Sequence, residues 1–334
     1  MPKYSRHRMN KQLGRYFSLS IGILSISLLL AACSSTPTKT TSVATKTKTS
    51  LHSLLPSNIA KSGVIINGSP ETNPPYMFLT NGKLTSIDYD LGQAMAKELG
   101  VHIVWKDIPS FSGLIPALLS GKINMSLSIL SDTPPREKEI TFVDYALDGV
   151  AFLTTYANRN RLPVSTNNFL WLCGVTAGST TGAIEAAYLK HLSNECISAH
   201  KPPITLLTYP NPADELLSLQ SGHTLVALHG GAASYYVSQT VNGGKAYRVL
   251  GREFLASYEG IGLAKGETKL AHALSVALQD LIKNGTYAKI LSKYGMSRLA
   301  IDVAQARMNT ATSKVPLTAS QKAIYGSSSP YIES

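Results

Sequence analysis

The chain has 334 residues, 44% of them hydrophobic and 15% charged, which indicates a mostly globular protein long enough for two domains. Its formal net charge of +11 would suit a nucleic-acid-binding protein, but eight basic residues fall among the first 50, where there are no acids. From Leu51 onward, 23 basic residues stand against 20 acidic ones. Because no basic cluster there is interleaved with aromatic residues, the charge argues against a nucleic-acid partner.

The N-terminus has the pattern of a signal peptide. A basic region that ends at Arg15 precedes an apolar run from Phe17 to Leu30, which is too short and too polar for a membrane span of about 20 apolar residues. Small residues then lead to Cys33, an arrangement that resembles the bacterial lipobox, in which the cysteine receives a diacylglyceryl group. We therefore predict a lipoprotein signal peptide over residues 1–32 and lipidation of Cys33. A secreted protein with an unmodified cysteine is the alternative.

Residues 33–54 are predicted to hold the lipidated cysteine and a flexible tether. The stretch Ser34–Ser50 is rich in serine, threonine and lysine and has too few large apolar side chains to bury a core. It is therefore expected to be solvated and to connect the anchor to the folded part.

After the tether, apolar strands alternate with amphipathic helices, which predicts a largely parallel α/β sheet. The first strands are predicted at 63–67, 101–105 and 123–129. The helices between them are predicted to end at Gly100 and Gly121.

A turn after the third strand holds the first candidate binding residue. The stretch Asp132-Thr133-Pro134-Pro135 cannot continue a strand ladder or enter a helix interior, and Arg136 follows it directly. A guanidinium fixed beside the hydroxyls of Ser131 and Thr133 suits the two oxygens of a carboxylate. A solvated arginine on a surface loop is the alternative.

A second set of elements follows the turn. Further strands are predicted at 149–156, 173–176, 204–209, 224–228, 247–250 and 260–264. Ser179-Thr180 is predicted to begin a helix, and two helices at 270–283 and 287–294 close the folded part. Beyond about Met308 the weak periodicity predicts a loosely held tail.

Two further cysteines, Cys173 and Cys196, are predicted to form a disulfide. An even pair in an extracytoplasmic chain favours one, and the predicted strand–helix unit returns both cysteines to the same side of the sheet. A bond that closes a loop of this size contributes roughly 3 kcal/mol. Two buried thiols are the alternative.

Several short stretches occur in a fixed order between about residues 55 and 300. They are Asn73-Pro-Pro-Tyr-Met-Phe78, Ile87-Asp-Tyr-Asp-Leu91, Phe111-Ser-Gly-Leu-Ile-Pro-Ala-Leu118, Ser120-Gly-Lys122, Ser131-Asp-Thr-Pro-Pro-Arg136, Phe142-Val-Asp-Tyr145, Gly178-Ser-Thr180, Asn284-Gly-Thr286 and Lys293-Tyr-Gly295. The ordered series resembles the bacterial extracellular solute-binding proteins of polar amino-acid ABC importers. The arrangement of the two cysteines is most similar to that of lipoprotein members.

The resemblance implies an α/β protein with the two-lobed, type II periplasmic-binding-protein fold, in which mixed sheets are flanked by helices and a ligand cleft lies between the lobes. Residues 55–150 plus 250–300 would form lobe 1 and residues 151–249 lobe 2. Residues 301–334 would be a partly disordered C-terminal extension. Open α/β sheets bind ligands in such clefts.

The resemblance also implies roles for individual residues. Arg136 matches the arginine that holds the ligand carboxylate, and Ser131 matches a hydroxyl contact in the same loop. Ser179 and Thr180 match a helix N-terminus that offers N–H groups and hydroxyls to that carboxylate, although a plain helix cap is the alternative. Phe111 matches a ring that packs on the ligand side chain, with core packing as the alternative.

Two further positions of the expected ligand site depart from the family pattern. Asn73 stands where an aromatic residue often lines the pocket, and His229 where an aspartate usually holds the ligand ammonium. A neutral imidazole brings no charge, and a protonated one would repel an ammonium. Either the ammonium is held elsewhere, or the ligand is not a standard α-amino acid.

Together these features predict the lipid-anchored binding component of an ABC importer, located outside the cytoplasm at the cell membrane. It would capture a small carboxylate-bearing solute, an amino acid or derivative, and deliver it to the permease. No cofactor, metal or catalytic residue is expected, and the protein is predicted not to be an enzyme. Two alternatives stay open: a cyclic-acid dehydratase of the same fold, with His229 as acid or base, and a sensory or surface lipoprotein with an altered cleft.

Overall fold

The computed structural model describes residues 51–164 and 168–325. The predicted signal peptide, the lipidation of Cys33 and almost all of the tether lie outside these residues. The sequence places the end of the tether at residue 54, whereas Leu51–Leu54 forms a 3-10 helix and Leu51 belongs to the buried core. Burial of the apolar side chains of Leu51 and Leu55 explains why folded structure already exists there.

Strands and helices alternate through most of the described chain. The strands are β1 (Val64–Ser69), β2 (Thr72–Asn73), β3 (Met77–Thr80), β4 (Lys83–Leu84), β5 (His102–Asp107), β6 (Ser126–Ser131), β7 (Ile140–Thr155), β8 (Thr176–Thr180), β9 (Thr205–Tyr209), β10 (Val226–Gly230) and β11 (Tyr247–Ala264). The helices are α1 (Ser57–Ser62), α2 (Ile87–Leu99), α3 (Leu114–Leu119), α4 (Pro134–Glu137), α5 (Ile184–Ser198), α6 (Pro212–Ser221), α7 (Gly231–Thr240), α8 (Thr268–Lys283), α9 (Thr286–Lys293), α10 (Thr310–Ser313) and α11 (Ala319–Tyr325). Short 3-10 helices also lie at Phe111–Gly113, Tyr156–Asn158, Leu170–Leu172, Val241–Gly244 and Ser297–Leu299.

None of the helices within the described ranges combines the length and the apolar composition that crossing a membrane requires.

The sheets mix parallel and antiparallel strands. The largest has the order β6-β11-β7-β10-β8-β9, in which β8 pairs in parallel with β10 and β9, and the remaining pairs are antiparallel. β1 pairs in parallel with β5, and a backbone hydrogen bond from Gly68 to Met125 joins β1 to the start of β6. The arrangement is less parallel than the strand–helix alternation predicts, because β7 and β11 run antiparallel through the middle of the sheet.

The long strands β7 and β11 connect the two largest apolar cores. They pair antiparallel over nearly their whole length. One end of the pair contributes Tyr145 and Tyr258 to the first core, which also contains α2, α8 and α9. The other end contributes Phe152 and Leu250 to the second core, which contains α5. Register shifts between Leu250 and Ser257 interrupt the ladder where the pair passes from one core to the other.

Local sequence signals set the ends of the helices that cover the sheets. Helix α2 begins after Ser86, whose hydroxyl accepts a hydrogen bond from the amide of Tyr89 at 3.0 Å. It ends at Gly100, where φ is 67°. Between these ends, Leu91 and Met95 are buried in the first core, so the apolar stripe of the sequence fixes which face of α2 turns inward.

Cys173 and Cys196 form a disulfide whose Cα atoms lie 5.5 Å apart. The bond joins the end of a 3-10 helix to the last part of α5. The strand that the sequence places from Cys173 begins only at Thr176, because Gly174, with φ of 78°, first turns the chain out of an extended conformation.

Residues 301–325, which we call the C-terminal strap, pack against the rest of the fold. The sequence predicts a loosely held tail beyond about Met308, whereas Thr310, Ala311 and Tyr325 are buried. The strap is held by apolar packing of residues such as Ile301 and Ala306 and by hydrogen bonds; for example, the Tyr325 hydroxyl donates to the carbonyl of Leu147 at 3.2 Å. Hydrogen bonds produce no periodic spacing of apolar residues, which explains why the sequence pattern did not predict a packed segment here.

Replacement of both Cys173 and Cys196 by serine should lower the free energy of unfolding by about 3 kcal/mol, because the bond closes a loop in the unfolded chain between residues 23 positions apart. Urea unfolding of the purified wild type and the double variant measures the difference. Reductant should bring the wild type to the stability of the variant and leave the variant unchanged. Equal stability of the oxidised wild type and the variant would contradict this expectation.

Candidate binding cleft

A cleft lies where β7 and β11 pass between the two cores, and it holds about 570 Å³ of empty space, part of it open to solvent. All of the residues that the sequence proposed as ligand contacts line this cleft. They are Asn73, Phe111, Ser131, Arg136, Ser179, Thr180 and His229. Positions as far apart in sequence as 73 and 229 thus meet around one space.

Arg136 lies in the short helix α4, which is capped by Thr133. The Thr133 hydroxyl accepts a hydrogen bond from the Arg136 amide at 3.4 Å. The half-buried guanidinium donates to the carbonyl of Ser131 at 2.8 Å and to that of Gly182 at 2.8 Å. Its central carbon lies 5.8 Å from the centre of the Phe111 ring. These two bonds use two of the five N–H donors of an arginine, so donors remain for a ligand in the cleft.

Two hydrogen bonds connect the two sides of the cleft. One runs from Arg136 to Gly182, and the other from the Phe111 amide to the carbonyl of Pro210 at 3.0 Å. Gly182 has φ of 82°, and a Cβ atom there would lie 3.1 Å from that of Ser112. The positive backbone angle favours a glycine, and the tight approach leaves little room for a side chain where the two sides meet around Arg136.

Ser179 and Thr180 do not begin a helix, contrary to the sequence prediction. They are the last residues of β8 and pair with β9, and α5 begins only at Ile184. The Thr180 hydroxyl donates to Glu215 at 2.6 Å instead of capping a helix. A serine–threonine pair occurs at strand ends as well as at helix starts, which explains why the sequence prediction placed the start of the helix too early. The N-terminus of α5 still reaches the cleft, since Ile184 lines it.

Four carboxyl groups that the sequence analysis did not identify also line the cleft: Asp148, Glu185, Glu215 and Glu259. The basic side chains that line it are Arg136 and His229, so the cleft carries an excess of acidic groups. Asp148 and Glu259 each interrupt an apolar strand sequence. That interruption is the signal that could have identified them, because a carboxyl in a buried strand needs a partner or a function.

His229 is paired within the protein. Its Nδ1 lies 3.1 Å from Oε1 of Glu215. Burial lowers the pKa of the imidazole, but the charge and hydrogen bond of Glu215, with the charges of Glu185 and Asp148, outweigh burial and leave the pKa above its ordinary value. A proton on His229 is therefore matched by a buried carboxylate, and His229 does not face the cleft as an isolated positive charge.

Glu259 is buried at the floor of the cleft with one oxygen satisfied. Its Oε1 accepts hydrogen bonds from Ser257 at 2.8 Å and from Ser131 at 3.1 Å. Burial raises the pKa of this carboxyl well above its ordinary value, although the hydrogen bonds oppose the shift. A cation placed beside Glu259 would lower that pKa and stabilise the ionised form.

Three buried polar atoms around the cleft have no hydrogen-bond partner among the described residues: Oδ1 of Asn73, Oγ of Ser179 and Oε2 of Glu259. Buried polar atoms in native proteins are nearly always hydrogen-bonded. Three such atoms therefore lie in one space with hydrogen-bonding capacity that the described residues do not use.

The four carboxyls of the cleft differ in how far the protein itself satisfies them. Asp148 accepts hydrogen bonds from the Tyr76 hydroxyl at 2.6 Å and from the Ala232 amide at 3.2 Å, and Glu215 is bonded to Thr180 and His229. The protein satisfies the hydrogen-bonding capacity of Glu185 and Glu259 less completely, and Oε2 of Glu259 has no partner among the described residues. Burial is the main cause that raises the pKa of Glu185, to about 7.

In the described part of the chain, no group of three or more His, Cys, Asp or Glu side chains has an arrangement that could hold a metal ion.

Replacement Glu185→Gln should stabilise the ligand-free protein at pH 8 and leave its stability at pH 4 unchanged. The folded-state pKa of about 7 exceeds the ordinary value of 4.5, so ionisation of Glu185 opposes folding as the pH rises through this range. We expect the variant to be more stable than the wild type by about 1–2 kcal/mol at pH 8. This is less than the full pKa shift would give, because the Glu185 side chain is partly exposed. Urea unfolding at several pH values measures it, with Glu139→Gln at an exposed position as control. A difference that does not grow with pH would contradict the assignment.

The chain matches the family model of the bacterial extracellular solute-binding proteins, family 3, over residues 65–297. The arginine-binding protein ArgT of Corynebacterium glutamicum is 25% identical over 297 residues, which cover 87% of this chain and 95% of that protein. The lysine/arginine/ornithine-binding periplasmic protein of Escherichia coli is 28% identical over 223 residues, 64% of this chain and 80% of that protein.

Among solved structures, an ancestral arginine-binding protein bound to arginine superposes with a TM-score of 0.59 at 28% identity, covering 70% of this chain and 98% of that one. The two-lobed, type II periplasmic-binding-protein fold implied by the sequence is thereby confirmed. The relatives are binding proteins and not enzymes, in agreement with the sequence prediction. With the family model matching well over half of its length, the chain belongs to the bacterial extracellular solute-binding proteins, family 3.

Proposed function

We propose that the protein is the binding component of an ABC importer and that its ligand is an α-amino acid with a cationic side chain. The observation that carries this proposal is the composition of the cleft, in which a single arginine stands among four carboxyl groups. A basic amino acid has one carboxylate and two cationic groups, so its charges complement those of the cleft. The arginine-binding and lysine/arginine/ornithine-binding relatives support the same ligand class.

In this proposal the ligand carboxylate binds to Arg136. The guanidinium already donates to carbonyls on both sides of the cleft and keeps further donors for an anion. The unpartnered hydroxyl of Ser179 and the first turn of α5 at Ile184 lie on the opposite side and would donate to the same group. Phe111 would then cover the ligand, while its cation–π contact with Arg136 holds its ring in place.

The cationic groups of the ligand would bind to Glu259 and Glu185. These are the cleft carboxyls with the weaker protein partners, and Oε2 of Glu259 has none among the described residues. Asn73, with its unpartnered Oδ1, would accept a further hydrogen bond. His229 would act indirectly, by holding Glu215 and Thr180 in position. The absence of an aspartate at position 229 is thus compensated by carboxyls that β11 and α5 bring to the cleft.

Binding is proposed to proceed by closure of two lobes, residues 55–150 plus 250–300 and residues 151–249. The crossing strands β7 and β11 would serve as the hinge, and their ladder is interrupted between Leu250 and Ser257. The contacts from Arg136 to Gly182 and from Phe111 to Pro210 would form on closure.

We further propose that the protein is anchored to the outer face of the cell membrane through a lipid on Cys33 and passes its solute to a membrane permease. The lipobox-like sequence supports the anchor, and the family supports the permease partner. Neither the dehydratase nor the purely sensory alternative is favoured by a specific feature of the cleft.

A calorimetric amino-acid panel tests the ligand class. A Cys33→Ala variant, which stays unlipidated, should bind arginine, lysine or ornithine at least about 100-fold more tightly than glutamate or leucine. Glutamate adds a fifth carboxylate to the cleft, and leucine, which has only its α-ammonium, leaves one of Glu259 and Glu185 without a cationic partner. Tighter binding of an acidic or neutral amino acid would overturn the cationic ligand. No binding of any panel member at millimolar concentration would overturn the receptor function itself.

The replacement Arg136→Ala should reduce affinity for the best ligand by about 100-fold or more, because the carboxylate loses its charged, hydrogen-bonded partner. Lys138→Ala, at an exposed position of the same turn, is the matched control and should retain affinity. Thermal unfolding without ligand checks that both variants are folded. Wild-type affinity in a folded Arg136→Ala variant would remove Arg136 from the site.

A further inference from the structure

The C-terminal strap contacts the turn that carries Arg136 through residues of the turn that do not line the cleft. The amide of Ala311 donates to Oδ2 of Asp132 at 3.2 Å. The amide of Thr312 donates to Oε1 of Glu137 at 3.0 Å, and the Thr312 hydroxyl donates to the other oxygen of the same carboxyl. Asp132 and Glu137 lie just before and at the end of α4, so the strap binds both ends of this turn.

The same part of the strap is fixed to β7, which prevents it from moving freely with the turn. The Asp144 amide donates to the carbonyl of Arg307 at 2.9 Å, and the amide of Thr310 donates to Oδ2 of Asp144 at 3.3 Å. The Phe142 amide donates to Oδ1 of Asn309 at 2.9 Å. The strap therefore connects the turn to the central strands of the fold.

Helix α4 needs such support from outside. It has four residues, and an isolated helix of that length is unstable because the cost of its nucleation is not recovered. Asp132 and Asp144 are fully buried, and burial is the main cause that raises their pKa values, to about 10 and about 7. The amides of the strap are hydrogen-bond donors to these buried carboxyls. The matched family region ends at residue 297, so these donors come from a segment beyond it.

We propose that the C-terminal strap positions Arg136 for the ligand carboxylate, with Glu137 and Thr312 as the positioning residues. The proposal rests on the proposed function, because it assumes that Arg136 binds that carboxylate. The strap holds Glu137, Glu137 fixes the end of α4, and α4 sets the direction in which the guanidinium points into the cleft. Neither Glu137 nor Thr312 lines the cleft.

The test compares the dissociation constants of L-arginine and L-argininamide, which lacks the carboxylate, in the unlipidated full chain. The ratio of the amide constant to the acid constant isolates the contribution of the carboxylate site. Glu137→Ala removes both bonds to Thr312 and should lower this ratio about 10-fold, with little change in the affinity for the amide. Thr312→Val removes only the hydroxyl and should lower the ratio about 3-fold, while Thr312→Ser should retain the wild-type ratio.

Two exposed neighbours serve as controls. Glu139→Ala lies beside the turn, and Ser313→Ala lies beside Thr312 and loses only a bond to the carbonyl of Asn309. Both should keep the wild-type ratio. If Glu137→Ala does not fold, Thr312→Val at the protein surface decides the question by the same ratio.

The outcomes separate the two levels of the proposal. A wild type that fails to bind arginine, or that does not distinguish it from the amide, refutes the proposed carboxylate site. A wild type that distinguishes them while Glu137→Ala and Thr312→Val keep its ratio refutes the positioning role of the strap alone. Equal loss of affinity for both ligands shows a merely structural role and also refutes it.

Discussion

The antiparallel pairing of β7 with β11 is the constraint on which the rest of the molecule depends. Where the pair passes between the cores, a Cβ atom on Gly149 would come within 2.7 Å of Cγ of Glu253, so only a glycine permits this approach. Arg298 then donates to both oxygens of Glu253, at 2.8 and 2.7 Å, and reaches Asp148 at 3.5 Å. Buried carboxylates persist when they are paired in this way. The crossing is thereby fixed in register, and so are the cleft residues that both strands carry.

The electrostatics of the cleft follow from that architecture. Strand β11 and helix α5 bring the carboxyls of Glu259 and Glu185 into a space that is only partly open to solvent, and burial raises the pKa values of both groups. In the proposed function, a cationic ligand would add positive charge beside these groups to that of Arg136 and His229. The stability lost by burying the carboxyls would then be recovered when the ligand binds.

Much of the fold and the location of the cleft were predictable from short local signals. The turn before Arg136 and the strand–helix alternation are visible because proline, glycine and apolar spacing determine them directly. The start of α5 was misplaced, because the Thr180 hydroxyl donates to the carboxyl of Glu215, 35 residues away, and does not cap a helix by accepting from a local amide. Glu185 was missed because its importance depends on burial, which a single sequence does not show, whereas Glu259 was overlooked although it interrupts an apolar strand. The strap was missed because polar contacts to Asp132 and Asp144 have no periodicity.

The long sequence separation between the strap and its partners also affects how the protein assembles. Ala311 and its partner Asp132 are 179 residues apart, and Thr312 and Glu137 are 175 apart. Contacts of such long sequence separation form late and slow folding, because the intervening chain must be ordered first. The chain must therefore be synthesised at least as far as Thr312 before these carboxyls acquire their donors from the strap. We therefore expect the turn that carries Arg136 to gain this support only after most of the described chain has been synthesised.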